Sequence, residues 1–283
     1  MIVNAKLMLD KAMKEQYAVC QFNINNLEWT RFILEECQDN NSPVILGVSE
    51  GATKYMGGYK TVANIVKSLV EELNITVPVC LHLDHGSSYD NCVKAIDSGF
   101  TSVMIDASRE NFEKNIQITN DVVKYAKEYD VTVEAEIGHI GGEEDGIAME
   151  ILYAEVDKCI DFVAETKIDF LAPALGSVHG LYKGEPNLNF SRMEEIKNEV
   201  NLPLVLHGGT GIPDYQIKKA IECGICKINI NTELQIVWTN AVRGFLNENK
   251  EIYDPRKIIK AGETAIKKAV KEKIKLLGSN DKA

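Results

Sequence analysis

Three histidines carry the clearest chemical signal in the sequence: His85, His179 and His207. Each ends a short apolar run and directly precedes a glycine, the pattern of a residue at which a buried strand gives way to a loop. Three such ends can meet only if their strands run side by side in the same direction. Imidazoles from three strands leave one coordination position open, so the pattern predicts a catalytic divalent metal, with zinc the best match.

A fourth histidine, His82, lies on the same predicted strand as His85 and competes with it as the metal ligand. Positions 82 and 85 differ by an odd number, so on a regular strand the two side chains face opposite sides. We therefore assign the metal to His85 and a packing or hydrogen-bonding role to His82. Glu136 ends another strand and is either an alternate ligand or a hydrogen-bond partner, and Asp106 is a candidate for a second metal position.

Two further segments have the composition of a phosphate site. Gly208-Gly209-Thr210-Gly211 follows one apolar run and opens a helix, and Asn229-Ile230-Asn231-Thr232 follows the next. Glycines let backbone N–H groups approach an anion, and the positive end of a helix dipole favours it. The sequence therefore predicts that these two loops bind phosphate.

An acidic, glycine-rich segment, residues 141–146, lies between two predicted elements. Its glycines suit a mobile loop that closes over the site, and one of its carboxylates would then act as an acid or base. A solvated acidic turn is the alternative interpretation.

Strand-like and helix-like segments alternate along the chain and form eight strand-helix units. The strands are continuous apolar runs, as expected for a parallel sheet covered on both sides. We predict an α/β fold, a (β/α)8 TIM barrel in a single domain over residues 1–283, with an extra C-terminal helix at Pro255–Leu277. An open doubly wound sheet is the alternative, but Phe22-Asn23-Ile24-Asn25-Asn26 lacks the glycines that follow its first strand.

In such a barrel the site lies at the carboxyl ends of the strands. All eight predicted ends are polar, and together they combine imidazoles, carboxylates and amides on one face. They are Asn23, Ser49, Asp84 with His85, Asp106, Glu136, His179, His207, and Asn229 with Asn231 and Thr232.

Composition excludes several other classes of protein. The net charge of −11 argues against a nucleic-acid partner, which requires a basic surface. No apolar run approaches membrane-spanning length, and the first residues lack the core of a signal peptide. The seven cysteines are odd in number and several lie within apolar runs, so we expect buried, reduced thiols in a cytoplasmic protein.

The chain resembles the class II, metal-dependent fructose-1,6-bisphosphate aldolases and their close relatives, the tagatose-bisphosphate aldolases, and is most similar to the subgroup with shorter loops. The resemblance covers essentially the whole chain. It rests on the segments Gln21–Asn23, Pro43–Ile45, His82–Gly86, Glu134–Gly138, Gly141–Gly146, Gly176–Gly180, Leu206–Gly211, Lys227–Thr232 and Asp254–Arg256.

The resemblance implies zinc held by His85, His179 and His207, with Glu136 placed where the metal can move toward it. Asp84 would exchange a proton with the C4 oxygen of the sugar, Glu144 would handle the proton at C3, and Asn23 would steady the enediolate. The residues implied or proposed to contact substrate and its phosphates are Ser49, Gly180, Lys183, Gly208, Gly209, Thr210, Asn229, Asn231, Thr232 and, for the second phosphate, Arg256.

The resemblance also implies a monovalent cation, Na⁺ or K⁺, near the backbone of Val178, Gly180 and Gly208, and we expect a homodimer or homotetramer. Asn231 stands where some family members have Asp, which leaves the choice between the two epimeric sugars open. His139 has no assigned role, and we expect it to be structural.

Three other mechanisms or functions are less consistent with the residues. A Schiff-base aldolase needs a lysine at a strand end, and the sixth strand, Asp169–Leu175, contains none. A metal-dependent hydrolase on the same barrel would show H-x-H on the first strand, where Cys20–Asn23 offers no histidine. A phosphate-sensing protein would have no need for Asp84 and Glu144 beside three histidines.

Overall fold

The computed structural model describes residues 1–144, 147–182 and 184–283, and for residues 143, 144 and 147–149 it describes the backbone only. In chain order the strands are β1 (Val19–Asn23), β2 (Val44–Ser49), β3 (Val79–Gly86), β4 (Ser102–Ile105), β5 (Thr132–Ile137), β6 (Gly141–Glu144), β7 (Ile147–Met149), β8 (Phe170–Pro173), β9 (Val178–His179), β10 (Leu204–Leu206) and β11 (Ile225–Ile230).

Helix α1 precedes the first strand, and the other helices follow the barrel strands and form the outer layer. They are α1 (Lys6–Glu15), α2 (Leu27–Asp39), α3 (Glu50–Tyr55), α4 (Tyr59–Glu72), α5 (Tyr89–Asp97), α6 (Phe112–Glu128), α7 (Val156–Thr166), α8 (Phe190–Val200), α9 (Asp214–Glu222), α10 (Thr232–Glu248), α11 (Pro255–Lys260) and α12 (Glu263–Leu277). Several begin with a capping side chain directly after a strand, as when Asn26 Oδ1 accepts a hydrogen bond from the backbone N–H of Trp29.

Eight parallel strands close into a barrel in the order β1-β11-β10-β8-β5-β4-β3-β2. Closure depends on the pairing of β1 with β11, in which Cys20 lies opposite Ile228. Both strands are buried along their whole length, as continuous apolar runs predict. The predicted TIM barrel is confirmed, and the open sheet is excluded.

The floor of the barrel is closed by α1, which the sequence analysis did not predict. Its apolar face, including Leu9, packs against the lower interior of the barrel, where Val19, Ile45 and Phe170 lie. Ala5, directly before this helix, makes no capping hydrogen bond with its side chain, and Asn4 Oδ1 instead accepts from the Lys6 N–H at 3.2 Å.

The prediction of one C-terminal helix over Pro255–Leu277 was wrong in detail. The structure ends α11 at Lys260 and begins α12 at Glu263. Between them Gly262 passes directly over Trp238, where a Cβ atom would lie 2.0 Å from Trp238 Cδ1. The indole Nε1–H donates to the Ile259 carbonyl at 3.3 Å, so the break is made by packing against α10.

The acidic segment predicted as a loop is largely a hairpin. Strands β6 and β7 pair antiparallel, with Gly142 opposite Met149, and β6 also pairs in parallel with β9. Residues 145 and 146 lie outside the described residues. The hairpin therefore joins the segment that carries Glu144 to the strand that carries His179.

Two further predictions can be compared with the fold. All seven cysteines are buried and free, as predicted. Among the described residues, the helices are all too short or too polar to cross a bilayer.

Candidate active site

The three predicted histidines meet above the upper end of the barrel. Their ring centroids lie 4.9 Å apart for His85 and His179, 4.7 Å for His85 and His207, and 5.6 Å for His179 and His207. One nitrogen from each ring lies within 4.8 Å of the others. The structure thus brings together three residues distant in sequence in the arrangement that a single metal ion requires.

His85 reaches this cluster through an irregular end of β3. Its φ of +53° is left-handed, and the pairing with β4 shifts register between Leu83 and Gly86. The sequence analysis selected His85 over His82 by strand alternation. That choice agrees with the cluster, but His85 turns toward His207 because the alternation breaks at this residue.

The outer nitrogens of two rings are bound to carboxylates. Asp106 Oδ2 lies 3.0 Å from His85 Nδ1, and Glu134 Oε1 lies 2.7 Å from His207 Nε2. The remaining nitrogens, His85 Nε2 and His207 Nδ1, face each other at 3.0 Å. Imidazole ligands in metal sites donate their second N–H to a carboxylate in this way, so the donor set fits a divalent metal.

The carboxylates around the cluster also set the charge of its imidazoles. Burial opposes protonation of His85, but the hydrogen bond to Asp106 and the nearby charge of Asp84 outweigh it and raise the pKa of His85 to about 10. Burial and the positive potential of His85 and His207 hold the pKa of His179 well below its usual range. Asp84 and Asp106 thus favour positive charge at His85.

Glu136 lies beside this cluster with one oxygen engaged. Its Oε1 accepts a hydrogen bond from the backbone N–H of Ile140 at 3.2 Å, and its buried Oε2 has no partner among the described residues. Burial and the neighbouring Asp106 raise its pKa well above the usual range. Together with His85 and Asp106 it forms a second group able to hold a cation.

Asp84 is held in place by two amides on the other side of the histidines. Asn23 Nδ2 donates to Asp84 Oδ2 at 2.8 Å, and Asn229 Nδ2 donates to Asp84 Oδ1 at 3.3 Å. Burial alone would raise the pKa of this carboxyl, but the positive potential of His85 and His207 outweighs it and holds the pKa well below its usual range. Asp84 is thus an ionised carboxylate, the form in which it can accept a proton.

One narrow cleft contains most of the predicted site residues. It is lined by Asn23, Asp84, His85, His179, Gly180, Gly208, Thr210, Asn229, Asn231 and Thr232. The long helix α10 begins at Thr232, so the positive end of its dipole is at the cleft. These residues provide the backbone N–H groups, hydroxyls and amides that an anion needs.

Close approach of two backbone segments shapes this cleft. Gly208 has φ +65°, and a Cβ atom there would lie 2.0 Å from the Val178 carbonyl oxygen. Tyr182 joins the same segments, since its hydroxyl accepts from the Val178 N–H at 3.1 Å and donates to the Gly208 carbonyl at 3.0 Å. Sequence reasoning missed Tyr182, which carries no motif signal.

Several predicted residues lie elsewhere. Gly209 packs on β11, and Ser49 caps α3 and lines a larger adjoining cleft together with Asn23 and Asn231. Arg256 is 89% exposed, pairs with Asp254, and lines neither cleft. The side chain of Glu144 and the whole of Lys183 lie outside what the structure describes.

Comparison with known proteins shows to which family the chain belongs. The family described as "Fructose-bisphosphate aldolase class-II" matches residues 3–282 of the chain. The chain belongs to this family. It is therefore related to lyases that cleave by the aldol route, as the sequence motifs indicated.

The relatives of this class II aldolase cover it completely. It is 58% identical to the fructose-bisphosphate aldolase of Geobacillus stearothermophilus and 56% identical to that of Staphylococcus aureus, over 100% of this chain and 99% of each relative. The crystal structure of the YdjI aldolase from Escherichia coli K12 superposes with a TM-score of 0.87 at 34% identity, covering 100% of both chains. The family resemblance drawn from the motifs is thereby confirmed.

Two charged residues inside the barrel of this class II aldolase were missed as functional candidates. Glu134 and Lys227 are fully buried, with 2.8 Å between Glu134 Oε2 and Lys227 Nζ. A signal was present, because a charge in the middle of a continuous apolar strand has to find a partner. Glu134 shares a strand face with Glu136, and Lys227 shares one with Asn229.

Proposed function

We propose that the chain is a zinc-dependent lyase that reversibly cleaves fructose 1,6-bisphosphate to dihydroxyacetone phosphate and glyceraldehyde 3-phosphate, in glycolysis and gluconeogenesis. The observation that carries the proposal is the cluster of His85, His179 and His207 beside the ionised carboxylate of Asp84. Zinc bound by the three histidines would supply Lewis-acid polarisation of the substrate ketone.

Proton transfer is assigned to the chain's own carboxylates. Asp84 accepts the proton of the C4 hydroxyl as the C3–C4 bond breaks, because its amide contacts with Asn23 and Asn229 leave an ionised carboxylate facing the cleft. Glu144 returns a proton to C3 of the dihydroxyacetone phosphate half. Asn23 steadies the oxygen on which negative charge develops.

The phosphate beside the ketone is assigned to the narrow cleft. The residues assigned to this phosphate are Gly180, Lys183, Gly208, Thr210, Asn229 and Thr232. Asn231 is assigned to the sugar hydroxyls, and Gly209, packed on β11, and Ser49, in the adjoining cleft, are assigned to the rest of the substrate site. The start of α10 supports this assignment, since a helix N-terminus attracts an anion. Glu136 serves as an alternate ligand for the metal, with Asp106 at a second position, and a Na⁺ or K⁺ ion binds near Val178 and Gly208.

Arg256 is assigned to the second phosphate, in the site of a neighbouring copy. Support comes from its position, exposed and absent from both clefts of its own chain. The assembly would then be a homodimer or homotetramer, which light scattering after size-exclusion chromatography would test. The buried, free thiols fit a reducing compartment, and we assign the enzyme to the cytoplasm.

The decisive experiment compares cleavage of fructose 1,6-bisphosphate and tagatose 1,6-bisphosphate, each with and without EDTA. We expect faster cleavage of the fructose sugar, lost with EDTA and restored by zinc. Preference for the tagatose sugar would keep the mechanism but change the substrate. Release of inorganic phosphate without triose phosphate would instead indicate a hydrolase, and EDTA-resistant cleavage would contradict the metal assignment.

A further inference from the structure

A continuous chain of polar contacts crosses the interior of the barrel beneath the site. It begins at His207, whose Nε2 contacts Glu134 Oε1 at 2.7 Å, and passes through the Glu134–Lys227 ion pair at 2.8 Å. From Lys227 Nζ a hydrogen bond of 2.7 Å runs to Asn229 Oδ1, and Asn229 Nδ2 then donates to Asp84 at 3.3 Å. This series of polar contacts therefore connects His207, a proposed metal ligand, to Asp84, the proposed proton acceptor.

Lys227 is the one pure donor at the centre of this chain. A lysine ammonium has three donors and no acceptor, so each neighbour has to turn an oxygen toward it. Glu134 faces Lys227 with Oε2 at 2.8 Å and His207 with Oε1 at 2.7 Å, and His82 Nε2 lies 3.5 Å from the same Oε2. Because Asn229 turns Oδ1 to Lys227, its amide nitrogen is left to donate to Asp84.

These contacts fix how His207 and Asp84, the two ends of the series, are oriented toward the site. With Nε2–H of His207 donated to Glu134, the lone pair of Nδ1 points toward His85 and the metal position. With the amide nitrogen of Asn229 toward Asp84, the carboxylate is held without repulsion between two oxygens. Reversal of the Asn229 amide would place its oxygen against the Asp84 carboxylate.

We propose that Lys227 is a positioning residue that orients the metal ligand His207 through Glu134 and the proton acceptor Asp84 through Asn229. The inference rests on the proposed function, since the metal concerned is the zinc assigned above. Lys227 is fully buried and lines neither cleft, so both of its effects pass through a neighbour.

The test measures zinc affinity in Lys227→Met, Glu134→Gln and the double variant, by titration of metal-stripped protein against a chromophoric chelator. Loss of an outer partner of a metal ligand weakens binding about 10- to 100-fold. We expect such a loss in Lys227→Met, which leaves Glu134 as a buried charge without its partner. In the double variant a neutral glutamine can still accept from His207, so zinc affinity should return to within about tenfold of wild type.

Turnover supplies a second readout on the double variant. Its Asn229 still lacks the Lys227 donor, so kcat for cleavage should fall more than KM rises although zinc is bound. This readout also applies if Lys227→Met does not fold, since the double variant carries no isolated buried charge. The matched control is Lys267→Met, which removes a lysine bound to Glu35 and Glu263 outside the barrel and should leave zinc affinity unchanged.

The proposal is overturned if Lys227→Met binds zinc as tightly as wild type. It is also overturned if the losses in zinc-binding free energy measured for Lys227→Met and Glu134→Gln simply add in the double variant. Wild-type kcat in the double variant would likewise overturn the role toward Asp84. Failure of the wild-type protein to bind zinc would instead contradict the proposed function, so the two hypotheses fail in distinguishable ways.

Discussion

At the scale of single residues, His85, His207 and Asp84 are each fixed by contacts with other side chains of the protein. His85 uses Nδ1 on Asp106, and His207 uses Nε2 on Glu134. Asp84 is held by two amides. These contacts hold the three side chains in place before any ligand binds.

Different substitutions should therefore remove proton transfer alone or metal binding together with activity. Asp84→Ala is expected to retain zinc and lose cleavage by about 10²–10⁴-fold, because only the proton acceptor is removed. His179→Ala is expected to lose both zinc and activity. Metal analysis beside steady-state kinetics checks the pair, and an active, zinc-replete His179→Ala would contradict the ligand assignment.

Arg256 provides a prediction about substrate recognition. Its guanidinium is free of the cleft of its own chain and is held by Asp254 through two contacts, of 3.1 and 2.9 Å. Arg256→Ala should raise KM for bisphosphates by about tenfold or more and change that for monophosphates little, because one charge-assisted phosphate contact is lost. Arg243→Ala, another exposed arginine, is the control, and equal effects on both substrates would remove Arg256 from phosphate binding.

At the scale of elements, departures from ideal geometry bring the site together. The irregular end of β3 turns His85 inward. The β6–β7 hairpin joins β9, and Tyr182 ties β9 to the loop after β10. Regular elements alone would have left His179 and His85 without a defined relation.

The floor helix α1 should contribute stability and leave the chemistry unaffected. Leu9 is 1% exposed in the lower core, so Leu9→Ala should lower the free energy of unfolding by about 2–5 kcal/mol. Leu7, on the same helix, is 80% exposed, and Leu7→Ala should change the free energy of unfolding by less than about 0.5 kcal/mol. Denaturant unfolding measures both, and equal effects would show that α1 does not close the core.

At the scale of the whole molecule, barrel closure makes the site a property of the entire chain. The three histidines lie in β3, in β9 and directly after β10, so a bound ion would link distant segments. We propose that residues 1–283 form a single catalytic domain that unfolds as one unit.

Zinc should accordingly stabilise the whole molecule. A ligand that binds only the folded state contributes about 2.7 kcal/mol at a concentration one hundred times its Kd. We expect zinc to raise the Tm of the metal-stripped protein in a concentration-dependent manner, as a single transition in calorimetry. His179→Ala serves as the control without a zinc response, and an unchanged wild-type Tm would contradict a zinc site built on the folded barrel.

The sequence by itself determined the barrel, the carboxyl-end location of the site and its three histidines. These follow from local patterns, since continuous apolar runs specify buried parallel strands and a polar residue before a glycine marks a strand end. The same patterns placed Asp84, Gly208 and Thr232 at one cleft, because parallel strands deliver their ends to one face.

Only the tertiary structure decided which atoms face each other. The Glu134–Lys227 pair, the turn of His85, the break before α12 over Trp238 and the position of Arg256 all depend on contacts between segments far apart in sequence. A local pattern reports whether a side chain is buried but not which partner satisfies it. That choice is made by the packing of the closed barrel, where a buried charge is stable only beside partners that other strands bring within reach.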